Sequence, residues 1–208
     1  MSDVRRVAAS EVRQSGFVID SSFVIRHSSF RAKGAFTLIE LIVVIAVIII
    51  LAGLVLSTVG YVQKKGARAR AETEIAAMSA ALESYKADNG IYPRNSDTDA
   101  LDAKASGDPT TYQAASLYLY NSLFGATSGN RTPDAGARSY FVFKPNMLSP
   151  TDQTQNVQYI RDPFGNSYGY STIQATGTTS AGYNPTFDLW STAGLTGGTD
   201  STQWIKNW

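Results

Sequence analysis

Residues 34–62 read GAFTLIELIVVIAVIIILAGLVLSTVGYV. Residues 41–56 within this run carry no polar side chain. An apolar stretch of about 20 residues or more is long enough to cross a bilayer as a helix. A backbone in lipid must satisfy its own hydrogen bonds, so the run is expected to be helical. From Phe36 to Val62 a helix covers about 40 Å at 1.5 Å per residue. The one carboxylate, Glu40, stands near the start of the run. An ionisable group in a membrane helix is expensive and functional by default, although near the end of a span its cost is small.

Beyond Val62 the helical signal continues. Residues 67–88 are rich in strong helix formers. Ala71, Ile75, Met78, Leu82 and Tyr85 recur at helical spacing and form one apolar face. Asn89-Gly90 supplies a stop, with Pro93 just beyond. The spacing therefore predicts one helix over about 36–88, hydrophobic all round in its first half and amphipathic in its second. The second half needs a domain to cover its apolar stripe.

Residues 94–110 read as a loop. Asp108-Pro109 is a helix start, and Tyr112, Ala115, Leu119 and Leu123 space a second helix that ends at Gly125. Residues 126–138 are rich in Gly, Ser, Thr and Pro. Four short strands are expected at 139–144, 157–161, 167–173 and 186–191. Asp162-Pro163-Phe164-Gly165-Asn166 makes a turn between the middle two. The tail 192–208 reads as a Gly/Thr-rich loop with an aromatic end. The expected fold class is α+β: a long N-terminal helix packed on a small antiparallel sheet.

Composition removes several kinds of chemistry. The 208 residues include no Cys, and the single His is His27, upstream of the apolar run. A chain from Phe36 onward has neither a Ser-His triad nor a His- or Cys-ligated zinc site within reach. No phosphate loop or nucleophile motif replaces them, so the chain is not expected to be an enzyme. Residues 1–35 hold six basic and three acidic side chains; residues 36–208 hold 12 basic and 14 acidic ones. No basic field of that remainder points to nucleic acid. Charge does not orient the span: Arg26, Arg31 and Lys33 precede it, and Lys64, Lys65, Arg68 and Arg70 follow it. Upstream, Phe17-Val18-Ile19-Asp20-Ser21-Ser22 nearly repeats as Phe23-Val24-Ile25-Arg26-His27-Ser28-Ser29, with no function evident.

Lys33-Gly34-Ala35-Phe36-Thr37-Leu38-Ile39-Glu40-Leu41 resembles the processing site of type IV pilins and type II secretion pseudopilins. The resemblance implies a cut between Ala35 and Phe36 by a prepilin peptidase and N-methylation of Phe36. Gly34, Thr37, Leu38, Ile39 and Glu40 would form the recognition motif. Glu40 is then the fifth mature residue. The family usually has Gly before the cut, and a cut after Gly34 would make Glu40 the sixth. Residues 85–93, YKADNGIYP, and 162–170, DPFGNSYGY, resemble segments of the type II secretion major pseudopilin. So does Phe187-Asp188-Leu189-Trp190-Ser191 with the terminal Asn207-Trp208. No such likeness is seen over 94–138, and the family's mid-helix proline is absent near Ser57.

The resemblance implies a type IV pilin-like fold with a leader at 1–35, a membrane and assembly half at 36–62, an amphipathic half at 63–89 and a periplasmic globular domain at 90–208. It implies a single-pass inner-membrane protein with a cytoplasmic N-terminus. Its partners would be further copies in a helical filament, other pseudopilins and the inner-membrane platform of the secretion machine. In that filament Glu40 would pair with the amino group of Phe36 in a neighbouring copy. A type IV pilin for adhesion, motility or DNA uptake is the alternative, and a single-span anchored enzyme or binding domain a third reading. Calcium in the C-terminal loop is also implied, with Asp200 as ligand. That loop offers one carboxylate where calcium wants six to eight oxygens. A metal-free loop pinned by Trp190, Trp204 and Trp208 is the preferred expectation.

Overall fold

A computed structural model of the chain describes residues 36–105, 107–177 and 180–208, apart from the side chain of Ser57. Gly34, Ala35, His27 and the upstream repeat lie outside the described residues. The chain divides into two compact units, Met1–Ile49 and Ile50–Trp208.

The long helix, α1, runs Leu38–Asn89. Every described side chain from Phe36 to Gly66 is exposed. Further along, Ala71, Ile75, Met78 and Leu82 are buried, and Tyr85 is half-buried. The predicted stripe is therefore the core face. The helix stops at Gly90, whose φ of 80° suits a residue without Cβ and whose N–H donates to the Lys86 carbonyl.

A five-residue helix, α2 (Ser96–Ala100), lies within the stretch expected to be loop. It starts with a reciprocal cap: Asn95 accepts from the Thr98 N–H while Thr98 accepts from the Asn95 N–H. Four polar residues and an alanine have no periodicity to betray them, so only the cap could have signalled this turn. Asp108 caps a turn of 3-10 helix at Pro109–Tyr112, which leads into α3 (Gln113–Phe124). Gly125 closes α3 in the left-handed region, as its spacing implied.

The sheets are small. β1 (Leu148–Ser149) pairs antiparallel with β2 (Tyr159–Ile160). β3 (Gly169–Ser171), β4 (Asp188–Ser191) and β5 (Ile205–Lys206) form an antiparallel sheet in the order β3-β4-β5. Tyr170 faces Leu189 across the first ladder, and Ser191 faces Ile205 across the second. The layout is thus the expected α+β one. Two expectations are corrected. Residues 139–144 form no strand: the N–H groups of Tyr140 and Phe141 both donate to the carbonyl of Leu123. The last turn of α3 needs donors for its unpaired carbonyls, and this segment supplies them instead of a ladder. The tail is not all loop, because β5 pairs along the free edge of β4.

The core gathers the α1 stripe with Leu119, Leu123, Ile160, Tyr170 and Leu189. Fully burying side chains of this size stabilises by roughly 1.5–3 kcal/mol each. Polar pins fix the register of helix on sheet. Tyr168 donates to Glu74 at 2.8 Å, and Arg70 donates to the same carboxylate at 2.7 Å. Burial first, and then the Glu74 charge, push the Tyr168 hydroxyl far above its ordinary pKa, so it stays a donor. Tyr170 donates to the Pro93 carbonyl at 2.7 Å.

Asp162 organises the turn between β2 and β3. It accepts from the Phe164 and Asn166 N–H groups and from the Ser191 hydroxyl. Burial pushes its carboxyl above the ordinary 3.8 despite these three donors. The folded chain therefore holds this proton more tightly than the unfolded chain. The stability from this group is greatest at low pH and falls as pH rises from about 3.8 through the raised value, then stays level. Asp162→Asn keeps an acceptor for the two amides and removes the titration. Its urea midpoint, measured from pH 3.5 to 6.5, should vary with a less negative slope than that of the parent chain; an unchanged slope would refute the assignment.

Gly169 lies against the Trp190 indole, where an added Cβ would come within 2.2 Å of the ring. Trp190 is fully buried, so the ring has no room to retreat. Gly169→Ala should therefore destabilise the chain by about 1–3 kcal/mol through overpacking. Denaturant unfolding of the detergent-extracted chain measures it, and a loss below about 0.5 kcal/mol would show that the ring can move.

Candidate assembly site

Thr37 and Glu40 close the start of α1 on each other. The Glu40 carboxylate accepts from the Thr37 N–H at 2.9 Å and from the Thr37 hydroxyl at 2.8 Å, both on Oε2. The Thr37 hydroxyl in turn accepts from the Glu40 N–H at 3.3 Å. This is a capping box, which satisfies orphan donors of the first turn and sets a negative charge at the positive end of the helix dipole. Thr-x-x-Glu before an apolar run is the sequence signature of such a box, and it was there to be read in Thr37 and Glu40. Sequence reasoning singled out both residues, but for processing and pairing rather than for this bond.

Phe36, Ile39, Glu40, Val43 and Val44 line a shallow groove beside the cap. Glu40 is its charged group, and the rest of the lining is apolar. Along the helix the side chains stay uncovered: Leu38 is 75% exposed and Leu56 74%. Gly53 and Gly60 stand seven residues apart, close to one face of the helix. An added Cβ at either would touch nothing within 4 Å. The surface therefore offers places where another helix can approach closely.

The C-terminal loop is built differently. Trp190 and Trp204 are buried and stack with centroids 6.1 Å apart, and Trp208 meets Trp190 edge-on at 5.9 Å. Tyr112 packs edge-on against Trp190 at 5.0 Å, its hydroxyl pushed up to about 12 by burial. Asp200 is exposed and caps the turn Ser201–Gln203 by accepting from the Thr202 N–H. That bond holds its carboxyl below the ordinary value, with the Thr202 side chain adding to the effect. The hydroxyl of Ser191 donates to Asp162, and that of Thr192 to the Leu195 carbonyl. The Lys206 ammonium lies 3.3 Å from the Ser201 hydroxyl. Among the described residues no three Asp, Glu, His or Cys side chains converge as metal ligands.

Residues 58–124 match the family described as Type II secretion system (T2SS), protein G. Over this stretch the chain is similar to that family. Over 67 residues the chain is 39% identical to the type II secretion system core protein G of Pectobacterium carotovorum subsp. carotovorum. That stretch is 32% of this chain, and the chain spans 42% of the relative's length. No solved structure matches significantly. The matched stretch covers the second half of α1, α2 and α3. It therefore takes in residues 94–124, part of the stretch in which no likeness had been seen. It begins after the Phe36–Glu40 motif and ends before the sheets, so the likenesses at 162–170 and 187–191 rest on their own residues.

Proposed function

We propose that this chain is a pseudopilin, a structural subunit of the filament that drives type II protein secretion. The observation that carries the proposal is α1: a membrane-length apolar half, its described side chains exposed, runs without a break into the stretch that is similar to protein G and folds against its own domain. A helix apolar on every side is as well accommodated among like helices as in lipid. Residues 38–62 would cross the inner membrane, with the N-terminus in the cytoplasm and the domain in the periplasm. A prepilin peptidase would cut between Ala35 and Phe36 and methylate Phe36. In the filament Glu40 would meet the Phe36 amino group of the next copy, since a charge in a dry bundle needs an opposite partner.

The capping box makes the Glu40 test specific. Glu40→Gln keeps a side chain that completes the box but loses the charge. If pairing is what assembly needs, Glu40→Gln and Glu40→Ala should both insert and both fail to assemble. Filaments from Glu40→Gln but not from Glu40→Ala would assign the residue to the cap alone. Intact mass of the membrane-extracted chain should show methylated Phe36 as the first residue, and an upstream N-terminus in peptidase-competent cells would refute processing at this site.

For the C-terminal loop we propose a metal-free structure held by its tryptophans. The support is the buried Trp190–Trp204 stack, together with a donor set poor for calcium: one carboxylate, the Ser191 and Thr192 hydroxyls bonded within the protein, and the Lys206 ammonium close by. Millimolar calcium should leave the thermal midpoint unchanged, and Trp204→Ala should cost about 3–5 kcal/mol. Stabilisation by calcium that disappears in Asp200→Ala would establish the metal site instead.

A further inference from the structure

Neither processing nor assembly uses the cations that follow the apolar run. Lys64, Lys65, Arg68 and Arg70 fall within two helical turns, and the next carboxylate along the chain is Glu72. Arg70 is engaged by Glu74. Lys64 and Lys65 are exposed, and among the described residues neither they nor Arg68 has a carboxylate within ion-pair distance.

Lys64 and Arg68 stand one turn apart on the same face of α1, where they line an open groove with Phe164, Leu195 and Gln203. Arg68 is braced there by an Nη1–H bond of 2.8 Å to the Gln203 carbonyl. That bond uses one of its five N–H donors and leaves the others for an anion. Depth along the helix is set by the rise per residue. Lys64 lies about 3 Å beyond Val62, and Arg68 about 9 Å beyond it. The polar layer on each side of the hydrocarbon core is roughly 5–7 Å thick. With Val62 at the hydrocarbon boundary, Lys64 and Lys65 sit among the headgroups and the Arg68 backbone lies about 2–4 Å beyond them. Long cationic side chains reach several ångströms to find phosphate at such a boundary.

We propose that Lys64, Lys65 and Arg68 form a binding site for anionic phospholipid headgroups on the leaflet facing the globular domain. Lys64 and Arg68 take the phosphodiester in the groove, Arg68 through its planar fork, and Lys65 adds charge beside it. The apolar Phe164 and Leu195 line the groove that the headgroup enters. The position of these cations at the end of a membrane-length run favours lipid over acidic residues of a neighbouring copy. This site rests on the reading of residues 38–62 as a membrane span.

The test uses the full chain, extracted in mild detergent with equal phosphatidylglycerol and phosphatidylcholine and examined by native mass spectrometry. The parent should retain phosphatidylglycerol in excess, by roughly fivefold for each cation that contributes. Lys64→Gln/Lys65→Gln/Arg68→Gln should bring the two lipids to parity, and Lys64→Arg/Lys65→Arg should keep the excess. Equal retention by the parent would overturn the proposal, as would an excess that survives in the triple variant. If the triple variant keeps the excess but loses crosslinks between copies, the cations serve a neighbouring subunit and the proposal falls. Carbonate extraction separates the two readings. A chain released from membranes by carbonate refutes the span and this site together; a chain that stays in the membrane without headgroup preference refutes this site alone.

Discussion

Sixteen consecutive residues, 41–56, offer water no polar side chain, and among the described residues nothing buries them. Large apolar side chains gain roughly 1.5–3 kcal/mol each on burial. A domain of this size is stable by only about 5–15 kcal/mol in total. The exposed run therefore outweighs anything the globular domain could contribute towards keeping it in water. The described domain leaves that covering to lipid or to other helices. Every functional reading of this protein has to satisfy that constraint, and a subunit that passes from a bilayer to a helical bundle does so at both ends of its path.

The domain contributes geometry to this arrangement. The second half of α1 is a structural part of the core, with Met78 and Leu82 fully buried against α3 and the sheets. Arg70, Glu74 and Tyr168 tie the same helix face to the residue that leads into β3 through bonds whose partners are mostly buried. Removing the Tyr168 hydroxyl would leave a buried carboxylate with one partner fewer, which is the costly way to break such a contact. Movement of the domain therefore takes the helix with it over this stretch.

Much of this was legible in the sequence because it was written in repeating patterns. The apolar run, the stripe from Ala71 to Leu82, the Asp108-Pro109 start and the Gly90 and Gly125 stops all appear where spacing put them. Residues 139–144 misled because Tyr140, Phe141 and Phe143 have strand composition, yet their backbone serves the end of α3. Composition reports what a segment can bury but not which donors a neighbouring element lacks. β5 and α2 are two and five residues long, and each is held by a contact rather than by a pattern: β5 by the edge of β4, α2 by the Asn95–Thr98 cap. At the head of α1 the sequence singled out Thr37 and Glu40 by motif, but not the capping box that joins them. The Trp190–Trp204 stack was legible only as three tryptophans near one end.

Glu40 illustrates how one residue satisfies two environments. A bare carboxylate entering a bilayer interface would have to be neutralised or paired at once. Here Thr37 gives it two hydrogen bonds on one oxygen, and the helix terminus gives it a favourable field. The charge is thus held ready without a partner chain and kept at a fixed place on the helix. In the proposed assembly a cation from another copy would meet a carboxylate already oriented through Oε2. Pre-orientation of this kind reduces the ordering cost of association, because the side chain has little freedom left to lose. The small Thr-x-x-Glu motif at the head of the apolar run therefore does two jobs with one pair of side chains: it starts the helix, and it presents the charge on which assembly is proposed to turn.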